Sequence, residues 1–179
     1  MRFIFLTLIL ISTQIFAQKK VKDTISYREY SVLKWADFKA AVPEGTKYSA
    51  SVSSGISYNW SFSTANGVID FKYDVEARLY RNFSWSLYTK DKKAVLKHEQ
   101  LHYDITELYA RKFRKELKEY VVGRSVRNDI SKMYETIEKE RTTMQMIYDK
   151  ESGHSINKVA QAQWETRVSN LLKEYELYK

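Results

Sequence analysis

Residues 50–79, ASVSSGISYNWSFSTANGVIDFKYDVEARL, decide the architecture. Ala50, Val52, Ser54, Ile56, Tyr58, Trp60 and Phe62 fall on one side of a period-2 pattern, and Ser51, Ser53, Gly55, Ser57, Asn59 and Ser61 on the other. Successive side chains point to opposite faces of a strand, so the pattern predicts a strand with one wet face. Asn66-Gly67 then signals a hairpin, because both residues tolerate positive φ. The return strand sends Ile69, Phe71, Tyr73, Val75, Ala77 and Leu79 to the core and Asp70, Lys72, Asp74, Glu76 and Arg78 to water. Outward from this hairpin, Phe83, Trp85 and Leu87 continue the period as a third run. Residues 30–38 (YSVLKWADF) read as a short strand running into a turn. The expectation is one antiparallel sheet of three or more strands.

Beyond residue 90 the period becomes helical. Asp91 is a candidate N-cap for a helix carrying Ala94, His98, Leu101, Ile105 and Leu108 and ending near Val122 and Gly123. Ser125 caps a second helix through Val126, Ile130, Met133, Ile137, Met144 and Ile147. A third runs from about Ile156 through Val159, Trp164, Val168 and Leu171. Strands first and helices afterwards make the class α+β. With 179 residues, the chain suits one domain, placed at 27–179 behind a polar lead-in at 18–26.

The N-terminus carries Arg2 and then an apolar run at residues 3–11 (FIFLTLILI). That run has the length of a signal-peptide core and is too short for a membrane span of about 20 residues. Residues 1–17 therefore read as a secretory signal peptide cut after Ala17, with an uncleaved anchor as the alternative because Ile15 is a poor cleavage residue. No second apolar run follows, so no stable membrane span is expected after cleavage, and the mature protein belongs in the periplasm or outside the cell. The chain has no cysteine and three histidines. This excludes disulfide scaffolds, thiolate metal sites and a cysteine nucleophile. The charge is +8, from 30 basic and 22 acidic residues. The basic residues are interspersed with acids on helices, as on a solvated face, and export argues against nucleic acid as a partner.

The chemistry sits in the first helix. His98-Glu99-Gln100-Leu101-His102 is H-E-x-x-H, with two imidazoles one helical turn apart on one face. Such a pair binds one zinc, and the adjacent Glu99 is placed to take a proton from a zinc-bound water. A catalytic zinc site has three protein ligands. His154 is the remaining histidine and the expected third, with Asp149 and Glu151 as competing oxygen ligands and Glu135, Glu138 and Glu140 ranked below it. The metzincin extension is excluded, because Ile105 and Leu108 stand where it needs glycine and histidine. Tyr148 is the chosen catalytic partner for a developing oxyanion, Tyr103 the other candidate, and Asp104 could orient a ligand imidazole.

Several segments together resemble a bacterial family of unknown function described as predicted secreted zinc-dependent proteases. They are Leu33-Lys34-Trp35-Ala36-Asp37-Phe38, Ser54-Gly55-Ile56-Ser57-Tyr58, Ser84-Trp85, residues 96–105 around the two histidines, Tyr148 through Ser155, and Gln163-Trp164. The resemblance implies secretion or periplasmic residence and a presumed peptidase activity. The combined expectation is a zincin-like fold and a metallopeptidase that hydrolyses peptide bonds of a protein or peptide substrate, with zinc as cofactor. The alternative is a non-catalytic zinc-containing envelope binding domain. The third run, leading into the helix, is the expected sheet edge for an extended substrate.

Overall fold

A computed structural model describes residues 23–88, 90 and 92–179. The expected signal peptide, residues 18–22 of the lead-in and the candidate cap Asp91 lie outside the described residues. The predicted hairpin forms from β3 (Ser54–Ala65) and β4 (Val68–Tyr80), in register from Ser54↔Leu79 to Ala65↔Val68. Asn66 and Gly67 make the turn at φ 52° and 77°, as a tight hairpin requires. Three helices follow, α1 (Lys93–Glu119), α2 (Val126–Ser152) and α3 (Lys158–Glu174), so the class is α+β.

The third strand of the sheet differs from the one the pattern predicts. It is β1 (Thr24–Ser26), from the expected loose lead-in, which pairs antiparallel with the outer edge of β4 and gives the order β1-β4-β3. The run at 83–87 yields only β5 (Trp85–Ser86), paired with β2 (Ala50–Ser51) in a separate two-stranded ladder. Phe83 and Leu87 are 73% and 56% exposed. The cause is Ser84, whose buried hydroxyl donates to Tyr80 O and accepts the Ser53 N–H, turning the chain out of the sheet. Residues 30–38 also form no strand. A short 3₁₀ turn at Trp35–Asp37 replaces it, because the Asp37 carboxylate accepts the Lys34 N–H at 2.8 Å and pairs with buried Arg81 at 3.2 Å. A local side-chain acceptor here outcompetes the ladder.

The core is built on the open end of the hairpin. Ile56, Val75 and Ala77 pack with Leu101, Ile105, Leu108 and Phe113 of α1, Ile130, Ile137 and Met144 of α2, and Trp164 and Val168 of α3. Nearer the turn, Phe62 and Ile69 are exposed, so the apolar side of the hairpin is covered only along part of its length. α1 is fixed by a buried ion cluster. Glu107 receives the Arg111 Nε at 2.9 Å and the Arg114 Nη1 at 3.0 Å. The two guanidinium groups continue to Val75 O, Leu172 O and Tyr178 O, tying α1 to β4 and to the C-terminal segment. Among the described residues, no helix is long and apolar enough to cross a membrane.

Removing Glu107 leaves two buried cations without their shared anion. Glu107→Ala should lower unfolding stability by about 3–5 kcal/mol, measured by denaturant titration. A midpoint within error of wild type would show that the cluster does not hold α1.

Candidate metal centre

His98 and His102 project from the same face of α1, and the last turn of α2 closes over them. Asp149 Oδ1 lies 3.0 Å from His98 Nε2 and 2.9 Å from His102 Nε2, and the two nitrogens are 3.3 Å apart. The adjacent Tyr148 stacks its ring on His98 at 4.6 Å between centroids. α2 ends just beyond, at Gly153 with φ 55°, and the Gly153 and His154 N–H groups both donate to the Asp149 carbonyl oxygen. This C-terminal cap fixes the backbone that carries Asp149.

The protonation pattern argues for a cation at this point. Gln161 Nε2 donates to Glu165, so Gln161 Oε1 is the acceptor on its other side. That oxygen receives the Tyr148 hydroxyl at 2.6 Å and meets His98 Nδ1 at 3.3 Å. His98 Nδ1 therefore carries a proton, and in the neutral ring Nε2 presents a lone pair to the Asp149 carboxylate. Two acceptors 3.0 Å apart require a positive charge between them. A proton on an imidazole Nε2 supplies that charge by donating to Asp149 Oδ1, and a bound metal ion supplies it in the proton's place. A metal ion satisfies all three atoms at once, and tetrahedral ligand atoms around zinc stand about 3.3 Å apart. His98, His102 and Asp149 thus form a group that can hold a metal ion.

Glu99 is 5% exposed and lies beside this group. Its Oε2 accepts the Val52 N–H at 2.7 Å. This bond, with the Ser53 N–H taken by Ser84, interrupts the long strand expected from residue 50 onward and separates β2 from β3. The other carboxylate oxygen makes no hydrogen bond among the described residues and is not sealed in, so it opens onto the cleft. Burial raises the Glu99 pKa, opposed by the charge of His102 and the Val52 hydrogen bond. Burial also pushes Asp149 up, but when the imidazole Nε2 atoms of His102 and His98 carry protons, their hydrogen bonds outweigh it and hold the carboxyl well below its usual range. The cleft has a volume of about 300 Å³ and is walled by Tyr48, Ala50, Ser51 and Gln145.

The other expected residues fall into distinct places. His154 is half-exposed at the cleft mouth, its Nδ1 3.5 Å from Asp149 Oδ1 and its ring 4.9 Å from that of Tyr48. His154 and Ser155 hold φ of 51° and 78°, a left-handed backbone that costs about 1–3 kcal/mol per non-glycine residue and concentrates at functional sites. The buried Tyr148 hydroxyl is committed to Gln161 and to the His98 carbonyl, and burial raises its pKa, so it remains a donor. Tyr103 packs edge-on to Tyr27 and points its hydroxyl at Ile25 O. Asp104 does not reach a ligand imidazole. It accepts from Gln100 at 2.7 Å and Tyr27 at 2.9 Å, and burial pushes its pKa up to about 6 against those bonds. Glu151 accepts the Trp164 indole N–H. Glu135, Glu138 and Glu140 pair with Ser131, Arg141 and Lys112. Gln161 and the Val52 N–H are the functional contacts that sequence reasoning misses. Gln161 had a signal, as a polar residue three before Trp164 and seven before Val168 on the buried stripe of α3.

The chain belongs to a family of bacterial proteins of unknown function (DUF922), whose sequence model matches residues 35–155. The matched span contains His98, Glu99, His102, Asp149 and His154 and stops before Gln161. No curated protein and no solved structure matches the chain.

Asp149→Ala should remove most divalent-metal binding, and Gln161→Leu should weaken it about 10–100-fold, as loss of a ligand-orienting partner does. Metal competition titration, with circular dichroism as the folding control, measures both. Unchanged affinity in Asp149→Ala would take that residue out of the ligand set.

Proposed function

We propose that this protein is a zinc-dependent peptide hydrolase acting in the periplasm or outside the cell. The observation that carries the reading is the meeting of His98 Nε2, His102 Nε2 and Asp149 Oδ1 beside Glu99 in an open cleft. Two imidazoles and a carboxylate, with no sulfur, suit zinc. When bound there, zinc supplies a Lewis acid for water and for the scissile carbonyl. His98, His102 and Asp149 would hold it, with Asp149 in the third position for which His154 was the expectation. Gln161 and Tyr148 keep the His98 lone pair turned inward. Glu99 is the general base. The Val52 N–H anchors one of its oxygens, the other faces the cleft, and burial makes it a better proton acceptor than an exposed carboxylate. The proton passes from Glu99 to the leaving amine. Tyr148, expected as the oxyanion donor, serves here to orient Gln161, because its hydroxyl is already engaged.

Strand parity supports an extended peptide as substrate. Leu87 N–H donates to Ser49 O at 2.9 Å, which makes Ser49 and Leu87 a hydrogen-bonded pair. Such pairs alternate along an antiparallel ladder. Ser51 therefore also faces β5, and Ala50 turns its main-chain N–H and C=O away from β5, to the side where Val52 meets Glu99. The edge available to a ligand is that of β2, rather than the run at 83–87. Export rests on the leader at residues 1–17.

Glu99→Gln should retain zinc and lose hydrolysis by about 10²–10⁴-fold, read by metal content and by peptide cleavage under mass spectrometry. Zinc in both proteins with cleavage in neither would leave the non-catalytic envelope domain as the better reading.

A further inference from the structure

A second cavity, of about 380 Å³, opens on the other side of the centre. Its own wall includes Lys47, Val95 and Ile156, and it meets the first cavity at Tyr48, Ala50, His98, Glu99 and His154. The two differ in character. The first is walled on its own side by Ser51, Gln145, His102 and Asp149, whereas the second has there two branched aliphatic side chains, Val95 and Ile156. Ile156 is 84% exposed and Tyr48 53%. Ile156 is also held in place, because its N–H donates to Gly153 O at the end of three successive positive-φ residues and the Asn157 N–H donates to Ser152 O. An exposed aliphatic side chain on an ordered backbone turn, paired with Val95 at the wall of a cleft, offers a contact for an apolar ligand group.

The main chain says which ligand group arrives there. An extended peptide adding to the free edge of β2 pairs best antiparallel, the more stable ladder per residue. It then runs from the Val52 side toward the Lys47 side. Its part before the scissile bond lies by Ser51 and Gln145, and its part after the bond lies by Tyr48, Val95 and Ile156. We propose that this second cavity is the subsite for the residue immediately following the scissile bond and that it selects a large apolar side chain. The assignment rests on the peptide-hydrolase reading above. Lys47 makes no ion pair with a described residue and stands at the far end of the cavity, where it disfavours a basic residue next in the peptide.

The test uses zinc-loaded full-length protein and peptides that differ only at the position after the bond, carrying Leu, Phe, Ala or Asp. Wild type should cleave the Leu and Phe peptides with kcat/KM at least about tenfold above Ala. Zinc-loaded Glu99→Gln should bind them about tenfold more tightly in calorimetry. Ile156→Asp should erase both preferences, read as the ratio of kcat/KM for the Leu and Phe peptides to that for the Ala peptide. Val95→Phe, which fills the cavity from the other wall, should shift the preference toward Ala. Cleavage that ignores the residue after the bond, or a preference unchanged in both variants, overturns the subsite alone. Failure to cleave any peptide overturns the hydrolase reading and the subsite with it.

Discussion

Two imidazole nitrogens and one carboxylate oxygen meet within 3.3 Å, and the helices are arranged to keep them there. α1 contributes both nitrogens from one face, α2 brings the oxygen on its final turn, and α3 supplies Gln161 to set the tautomer. The buried Glu107 cluster keeps α1 from sliding against β4 and the C-terminal segment. Such a meeting of acceptors is unfavourable until a cation joins it. An ion held there would couple to folding stability, since a ligand that binds only the folded chain stabilises it by mass action.

Much of this was legible from local pattern. Strict alternation around Asn66-Gly67 specified the hairpin and its register, and apolar spacing located the three helices within a few residues. The third strand was not legible, because β1 is three residues long and owes its place to pairing with β4. The run at 83–87 carried the right period and lost to one hydroxyl, that of Ser84, bonded across to Ser53 and back to Tyr80. Local side-chain acceptors of this kind leave no periodic trace.

The centre divides along the same line. His98, Glu99 and His102 lie within a single helical turn, so spacing alone placed them together. The partner from α2 depends on how two helices pack. Counting histidines favoured His154, but Asp149 follows Tyr148 on the buried side of α2 and His154 lies beyond the helix cap. Asp104 shows the converse case. It stands two residues from His102 and turns the other way, where with Gln100 it clamps the segment near Ser31 and Leu33 to α1.

The division of labour within residues 49–53 has a consequence for how this protein can change. Ser49, Ser51 and Ser53 give their main-chain groups to the β5 side, while Ala50 and Val52 turn theirs to the cleft. That arrangement is written in the backbone, while Ala50 and Val52 also pack their side chains inward. A single inserted or deleted residue would exchange the two sets, remove the donor that anchors Glu99 and turn the free edge inward against β5. Change in the length of this segment is therefore forbidden, and loop growth in the family is expected before residue 49 rather than within the ladder.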